Sequence, residues 1–242
     1  MVRRLQLWWT RSPWNDAVIL AASVVVIVAT WIFIAVAEEV HEGEHLPLEN
    51  QIMHAFRTGD PPHPIGPPWL ADVARDVTAL GSVAVLSGIV ALAAGYLLLS
   101  GRRAAALFVL VASLGGLGIN HTLKHTFDRE RPELELRLVQ IDSFSFPSGH
   151  AMSSATIYLT LAVLLTRLTS HRSRKTYIVG SAILLTFLVG FSRVFLGVHY
   201  PSDVLAGWAA GTAWAQLCWM TAHFLGRRRL ARVESAPAAG AS

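Results

Sequence analysis

The residues best suited to chemistry lie in the stretch Ser192-Arg193-Val194-Phe195-Leu196-Gly197-Val198-His199-Tyr200-Pro201-Ser202-Asp203, where ionisable side chains sit at the edge of two long apolar runs. An arginine or aspartate at membrane depth costs about 2.5–3.5 kcal/mol, so it faces a partner or a polar cavity. Arg193, His199 and Asp203 can all turn toward one such cavity. His199 and Asp203 are four positions apart, and Pro201 between them suits the first turn of a helix. A carboxylate accepting from one imidazole nitrogen fixes the tautomer and leaves the other nitrogen's lone pair free to attack an electrophile.

Two further clusters precede it. Lys124-x6-Arg131-Pro132 adds two cations to Arg193, and the two guanidinium forks can each engage two oxygens of a phosphate. Pro147-Ser148-Gly149-His150 opens an apolar run. Ser148 is placed to cap a helix whose free N–H groups and positive dipole end favour an anion, and Gly149 lets backbone approach closely. Phosphate-ester hydrolysis needs positioning and positive charge around the transferring oxygens more than anything else a protein can supply. Each residue alone has a plain explanation: a snorkelling lysine, an ordinary capped helix, a structural histidine. It is the combination that argues for a site.

In order and in internal spacing, the three clusters resemble the motifs of the type-2 phosphatidic acid phosphatase superfamily: Lys-x6-Arg-Pro, Pro-Ser-Gly-His and Ser-Arg-x5-His-x3-Asp. The resemblance covers Lys124 to Asp203; the earlier chain is similar only in hydropathy. It implies that His199 is the nucleophile of a phosphohistidine intermediate, with Asp203 as its orienting partner. His150 would protonate the departing oxygen and then activate water. Lys124, Arg131, Ser148, Gly149 and Arg193 would hold the phosphate. The scheme calls for no metal and no other cofactor. His121 and His125, outside the motifs, are read as rim residues. The implied partners are a membrane lipid phosphate and the bilayer, and phosphatidic acid, phosphatidylglycerol phosphate and polyprenyl diphosphate all fit. Soluble vanadate-dependent haloperoxidases carry a similar pocket, but the spans described next disfavour that alternative. A non-catalytic lipid-phosphate binder or transporter is the other.

The elements that must position these residues are read from composition. The chain is 53% hydrophobic and 15% charged, too apolar for an ordinary soluble domain, and the surplus falls in six runs. These are about Ala17–Ala37, Val77–Leu99, Ala104–Leu123, Ala151–Leu168, Tyr177–Phe195 and Val204–Leu225. Each has about 18 to 23 residues, enough at about 1.5 Å per residue to cross a hydrocarbon core of about 30 Å. The expected fold is therefore all-α, a six-transmembrane-helix bundle with an interfacial site. With the N-terminus cytoplasmic, 13 of the 20 Lys and Arg residues lie inside, a positive-inside bias. Both termini are then cytoplasmic and all three motifs face outward, at a plasma membrane if the host is bacterial. The basic balance, with pI near 9.7, reflects topology and anionic headgroups rather than nucleic acid. A single cysteine, Cys218, excludes an intrachain disulfide.

The expected domain is residues 1–232, with 233–242 a disordered tail and Met1–Asp16, carrying Trp8, Trp9 and Trp14, an interfacial anchor. The outer segment 38–76 is acidic and too long for a turn. Within it Leu48, Ile52, Met53 and Phe56 fall on one face of a short amphipathic helix, suited either to the bilayer surface or to packing on the bundle. His41-Glu42-Gly43-Glu44-His45 matches the His-Glu-x-x-His pattern of zinc proteases, but Gly43 and Pro47 oppose the helix that pattern requires.

Overall fold

The structure, a computed structural model, describes residues 16–42, 46–59, 62–139, 141 and 143–234. Its helices are α1 (Asp16–Glu42), α2 (Leu46–Ala55), α3 (Trp69–Ala79), α4 (Val83–Leu99), α5 (Arg103–Phe127), α6 (Gly149–Thr166), α7 (Arg172–Phe195) and α8 (Pro201–Glu234). A two-stranded antiparallel ribbon, β1 (Arg57–Thr58) with β2 (His63–Pro64), and a 3₁₀ turn at Leu134–Leu136 complete it. The anchor expected at Met1–Asp16 lies almost wholly outside the described residues, as does most of the His41–His45 pattern, of which His41 and Glu42 end α1.

Among the described residues four helices, α1, α5, α6 and α7, are long and apolar enough to cross a membrane, and α3 with α4 makes a fifth if that bent pair is one span. The run expected as one helix over Val77–Leu99 is broken, with a bend of 41° between the two halves. At the break, Leu80 carbonyl accepts from Tyr158 Oη at 2.8 Å. Ser82 then caps α4 by accepting from Val85 N at 3.3 Å. These two bonds satisfy backbone groups that a continuous helix would have paired internally.

At the centre stands α6. Its faces are buried on nearly all sides, and small residues, Ala151, Ala155 and Ala162 among them, admit its neighbours closely. It packs on α5, α7 and α8, while α1 lies against α8 and turns apolar side chains such as Leu20, Ile27 and Trp31 outward. The apolar half of the bundle is a cluster of Leu86, Val90, Phe108, Val109, Ile157, Leu164 and Trp219. The connection from Leu168 to His171, flanked by Arg167 and Arg172, is at that end of α6, and the motif loops are at the other.

The acidic segment after α1 is more closely built into the bundle than its composition suggests. On α2, Met53 is buried with Leu136, Ala151, Val194, Tyr200 and Val204, whereas Leu48 and Ile52 remain exposed. The expected common face of Leu48, Ile52, Met53 and Phe56 is thus divided. Arg57, also buried, donates to the carbonyls of Leu136, Phe56 and Phe195, fastening this segment to the end of α7. The helix α8 runs through Glu234, past the expected boundary at residue 232; residues 235–242 lie outside the described residues.

Candidate active site

The candidate site forms where α5 ends and where α6 and α8 begin. After α7 stops at Phe195, the chain turns through Gly197 at φ +75°, where any side chain would strike the Leu136 carbonyl and the Arg57 guanidinium. That turn delivers His199 to the entrance of α8, 2% exposed. Asp203 follows one turn later, fully buried. Of the sequence-predicted residues, His199, Asp203 and Arg131 meet directly.

The hydrogen bonds define the imidazole's protonation. Arg131 Nη1 lies 3.1 Å from His199 Nε2, and a guanidinium has only donors, so Nε2 must carry the lone pair and Nδ1 the proton. Nδ1 faces Ser145 Oγ at 3.3 Å and Asp203 Oδ2 at 3.4 Å. Ser145 Oγ in turn donates to Asp203 Oδ2 at 2.5 Å, and Tyr200 N donates to the same oxygen at 2.9 Å. Burial, followed by the charges of Arg131, Arg193, Lys124 and His150, holds the His199 pKa well below its usual value. The ring is therefore neutral at physiological pH, as a nitrogen nucleophile must be.

The cations surround this imidazole from separate elements. Arg131, in the loop after α5, also donates to the carbonyls of Ser143 and Val198, at 2.6 Å each, and burial brings it down to about 10, still charged at neutral pH. Lys124, in the last turns of α5, donates to Phe144 O. Arg193, 3% exposed on α7, reaches Thr78 Oγ1 at 3.0 Å through Nη1, while its Nε has no partner among the described residues.

At the entrance of α6, Ser148 occupies the N-cap position, yet its side chain makes no capping bond. Its buried Oγ has no hydrogen-bond partner among the described residues, so the expected cap is replaced by a hydroxyl free to meet a ligand. Ser148 N donates instead to the Asp203 carbonyl at 2.9 Å, joining the starts of α6 and α8. A Cβ on Gly149 would lie 3.1 Å from Asn120 Oδ1 and 3.8 Å from Lys124 Cε, so glycine is what allows α5 this close to the helix start. His150 follows in the first turn, near enough to Arg193, Arg131 and Lys124 to feel their charge. His121 and His125 lie exposed beside Lys124, their rings 4.6 Å apart, with His125 against Phe144.

Three contributors were missed in the sequence: Arg129, Ser145 and Glu49. Arg129 Nη1 donates to Asp203 Oδ1 and to Ser202 Oγ, both at 2.7 Å, and its Nη2 pairs with Glu49 Oε2 at 2.5 Å. Its guanidinium carbon also lies 4.4 Å from the Tyr200 ring centroid. Burial opposes the charge of Arg129, but Asp203 and Glu49 overcome it and raise its pKa. The signal available for Arg129 was a second arginine two places before Arg131; for Glu49, on a loop helix 80 positions upstream, there was none.

The chain matches the family model of the PAP2 superfamily over residues 104–227, which takes in all of these motif residues. The protein belongs to the PAP2 superfamily. It is 38% identical over 149 residues to phosphatidylglycerophosphatase B of Bacillus subtilis, covering 60% of this chain and 71% of that protein. It is 44% identical over 69 residues to undecaprenyl-diphosphatase of Sulfolobus acidocaldarius, 28% of this chain and 29% of that protein. Its fold matches the crystal structure of the transmembrane PAP2-type phosphatidylglycerolphosphate phosphatase from Bacillus subtilis with a TM-score of 0.71 at 28% identity, covering 87% of this chain and 98% of that one. Apolar helices and membrane-bound relatives make this PAP2 protein an integral membrane protein of the lipid phosphatase family.

Proposed function

We propose that this PAP2 protein hydrolyses the phosphate or diphosphate of a membrane lipid through a phosphohistidine on His199. The observation that carries the reading is the neutral His199, its Nε2 lone pair turned to Arg131 and its Nδ1 proton turned to Ser145 and Asp203. Nε2 attacks phosphorus as the bond from phosphorus to the lipid oxygen, or to the bridging oxygen of a diphosphate, breaks. His150 gives the departing oxygen its proton. Lys124, Arg131, Arg193, Ser148 Oγ and the N–H groups at Gly149 bear the charge on the phosphoryl oxygens. Water, deprotonated by His150, then releases phosphate from His199.

A lipid substrate is supported by the surroundings. A largely apolar cleft of about 350 Å³ lies between α1 and the end of α5, lined by Phe33, Ile34, Ala37, Glu38, His41, Glu42 and Phe127. Phe127 meets Phe146 edge to face, centroids 4.9 Å apart, two residues before Ser148. An acyl or prenyl chain lodged there keeps its headgroup beside the start of α6. Phosphatidylglycerol phosphate and polyprenyl diphosphate, the classes named for the two relatives, lead the candidates.

In the topology that goes with this function, α3 and α4 form one broken span and α8 is the sixth. At about 1.5 Å per residue, the 34 residues of α8 are about 50 Å long, against a core of about 30 Å, so its basic end reaches the cytoplasm. Both termini are then cytoplasmic, and the site opens on the outer face of a bacterial plasma membrane.

The test is phosphate release in detergent across a panel of lipid phosphates and diphosphates, with and without EDTA. Turnover that survives chelation is expected. Loss of all turnover with EDTA would contradict the cation-only mechanism, and an inert wild type across the panel would contradict the lipid phosphatase reading.

A further inference from the structure

Glu49 lies in the outer segment, 150 positions from His199, yet it is 4% exposed and has two buried partners. Oε2 accepts from Arg129 Nη2 at 2.5 Å, and Oε1 from Ser202 N, in the first turn of α8, at 3.0 Å. Arg129 passes the contact on to Asp203 Oδ1 at 2.7 Å, and Asp203 Oδ2 serves Ser145 and His199. The chain Glu49, Arg129, Asp203, His199 is continuous and almost dry, the side chains being 6%, 10%, 0% and 2% exposed.

Charge counting gives this chain a purpose. Arg129 paired with Asp203 alone would cancel the carboxylate that must support positive charge on His199 as its Nε2 bonds to phosphorus. With Glu49 bound to the other nitrogen of the same guanidinium, the trio carries one net negative charge, and it is Asp203 that faces the imidazole. A carboxylate also suits the first turn of α8, whose N–H groups point toward it. Resting on the function proposed above, we infer that Glu49 is a positioning residue for His199: the short outer helix α2 is part of the catalytic apparatus, sharing Arg129 so that Asp203 keeps its charge.

The other charged or titratable groups that act on His199 are Lys124 from α5, Arg131 from the following loop, His150 from α6, Arg193 from α7 and Asp203 from α8. All but Asp203 disfavour a proton on the ring, so removing the negative charge of Glu49 moves His199 further the same way. The experiment is Glu49→Gln in the full-length protein in detergent, with kcat and KM measured against pH on whichever lipid phosphate the wild type turns over. The expected result is kcat lowered about tenfold or more with KM nearly unchanged, and the acid limb of kcat/KM displaced to lower pH by about half to one unit.

Wild-type kcat and limb, a loss confined to KM, or a slower enzyme with an unmoved limb would each overturn the inference. Glu49→Asp, which keeps the charge but cannot span both Arg129 and Ser202 N, is predicted to lower kcat and leave the limb in place. If Glu49→Gln does not fold, a Glu49→Asp enzyme with wild-type kcat would overturn it. A wild type inert on every lipid phosphate tells against the proposed function, whereas an active wild type matched by Glu49→Gln tells against this inference alone.

Discussion

The entrances of α8 and α6 each present a histidine to the same cationic ring, but their side chains are held in opposite ways. At α8, His199 and Asp203 have every polar atom engaged, by Arg131, Ser145, Tyr200 N and Arg129. At α6, Ser148 Oγ is buried without a partner among the described residues, and so is Nε of the neighbouring Arg193. A buried polar atom left unpaired costs about 1–3 kcal/mol. The fold bears that cost at Ser148 and Arg193, while Lys124 and Arg131 are held by backbone carbonyls, and avoids it at the nucleophile side. A nucleophile works from one fixed tautomer and direction, whereas an anion site works by keeping donors uncommitted until the charge arrives.

The sharpest way to break this contrast is at Arg129. Arg129→Ala leaves Asp203 and Glu49 buried without their cation, and breaking such a pair costs about 3–5 kcal/mol. The expected outcome is a large fall in thermal stability in detergent together with near-complete loss of turnover. A stable, active variant would mean that the α8 entrance is not organised by this arginine.

The α6 side should respond in the other sense. Among the described residues Arg193 makes one side-chain hydrogen bond, to Thr78. Arg193→Ala is therefore expected to leave the unfolding temperature unchanged or higher. It removes a charge-assisted contact to phosphate worth about 1.5–3 kcal/mol, so kcat/KM falls about 10- to 100-fold. Ser148→Ala should behave likewise with a smaller loss, and destabilisation by either variant would dissolve the distinction between the two entrances.

A smaller effect sharpens the His199 half. Burial and the surrounding cations depress its pKa below the unperturbed 6.5, so the neutral ring persists to lower pH. The limb of kcat/KM that requires neutral His199 should then lie below pH 6.5, and stability linked to this group should decline as pH falls from there toward the depressed value. A limb above pH 7 would mean that Asp203 outweighs the cations.

Much of the candidate site was legible in the sequence because its parts are short-range. Lys124 with Arg131, Ser148 with His150, and His199 with Asp203 are each set by spacing along a single turn or loop, and those spacings carried over into the fold. Arg129 was hidden inside a motif as a variable position, and Ser145 as one of two serines in a loop. Glu49 is one of several acidic residues of the segment after α1, and only tertiary contact singles it out. The apolar runs located most of the helices. They missed the break at Leu80–Ser82, since Gly81-Ser82 is a weak local signal and the decisive bond comes from Tyr158 on another helix. Leu48, Ile52, Met53 and Phe56 have helical periodicity, but periodicity does not reveal that Glu49 and Met53, rather than the whole apolar face, dock on the bundle.

The central claim, that His199 itself is phosphorylated during turnover, can be met directly. The enzyme would be mixed rapidly with a ³²P-labelled lipid phosphate, quenched in alkali, which spares a phosphorus–nitrogen bond, and mapped by peptide mass spectrometry. The account predicts transient label on the peptide bearing His199, absent in His199→Ala, which should have lost about four orders of magnitude or more in kcat. Label on another residue, or a His199→Ala enzyme that still turns over at the wild-type rate, would contradict it.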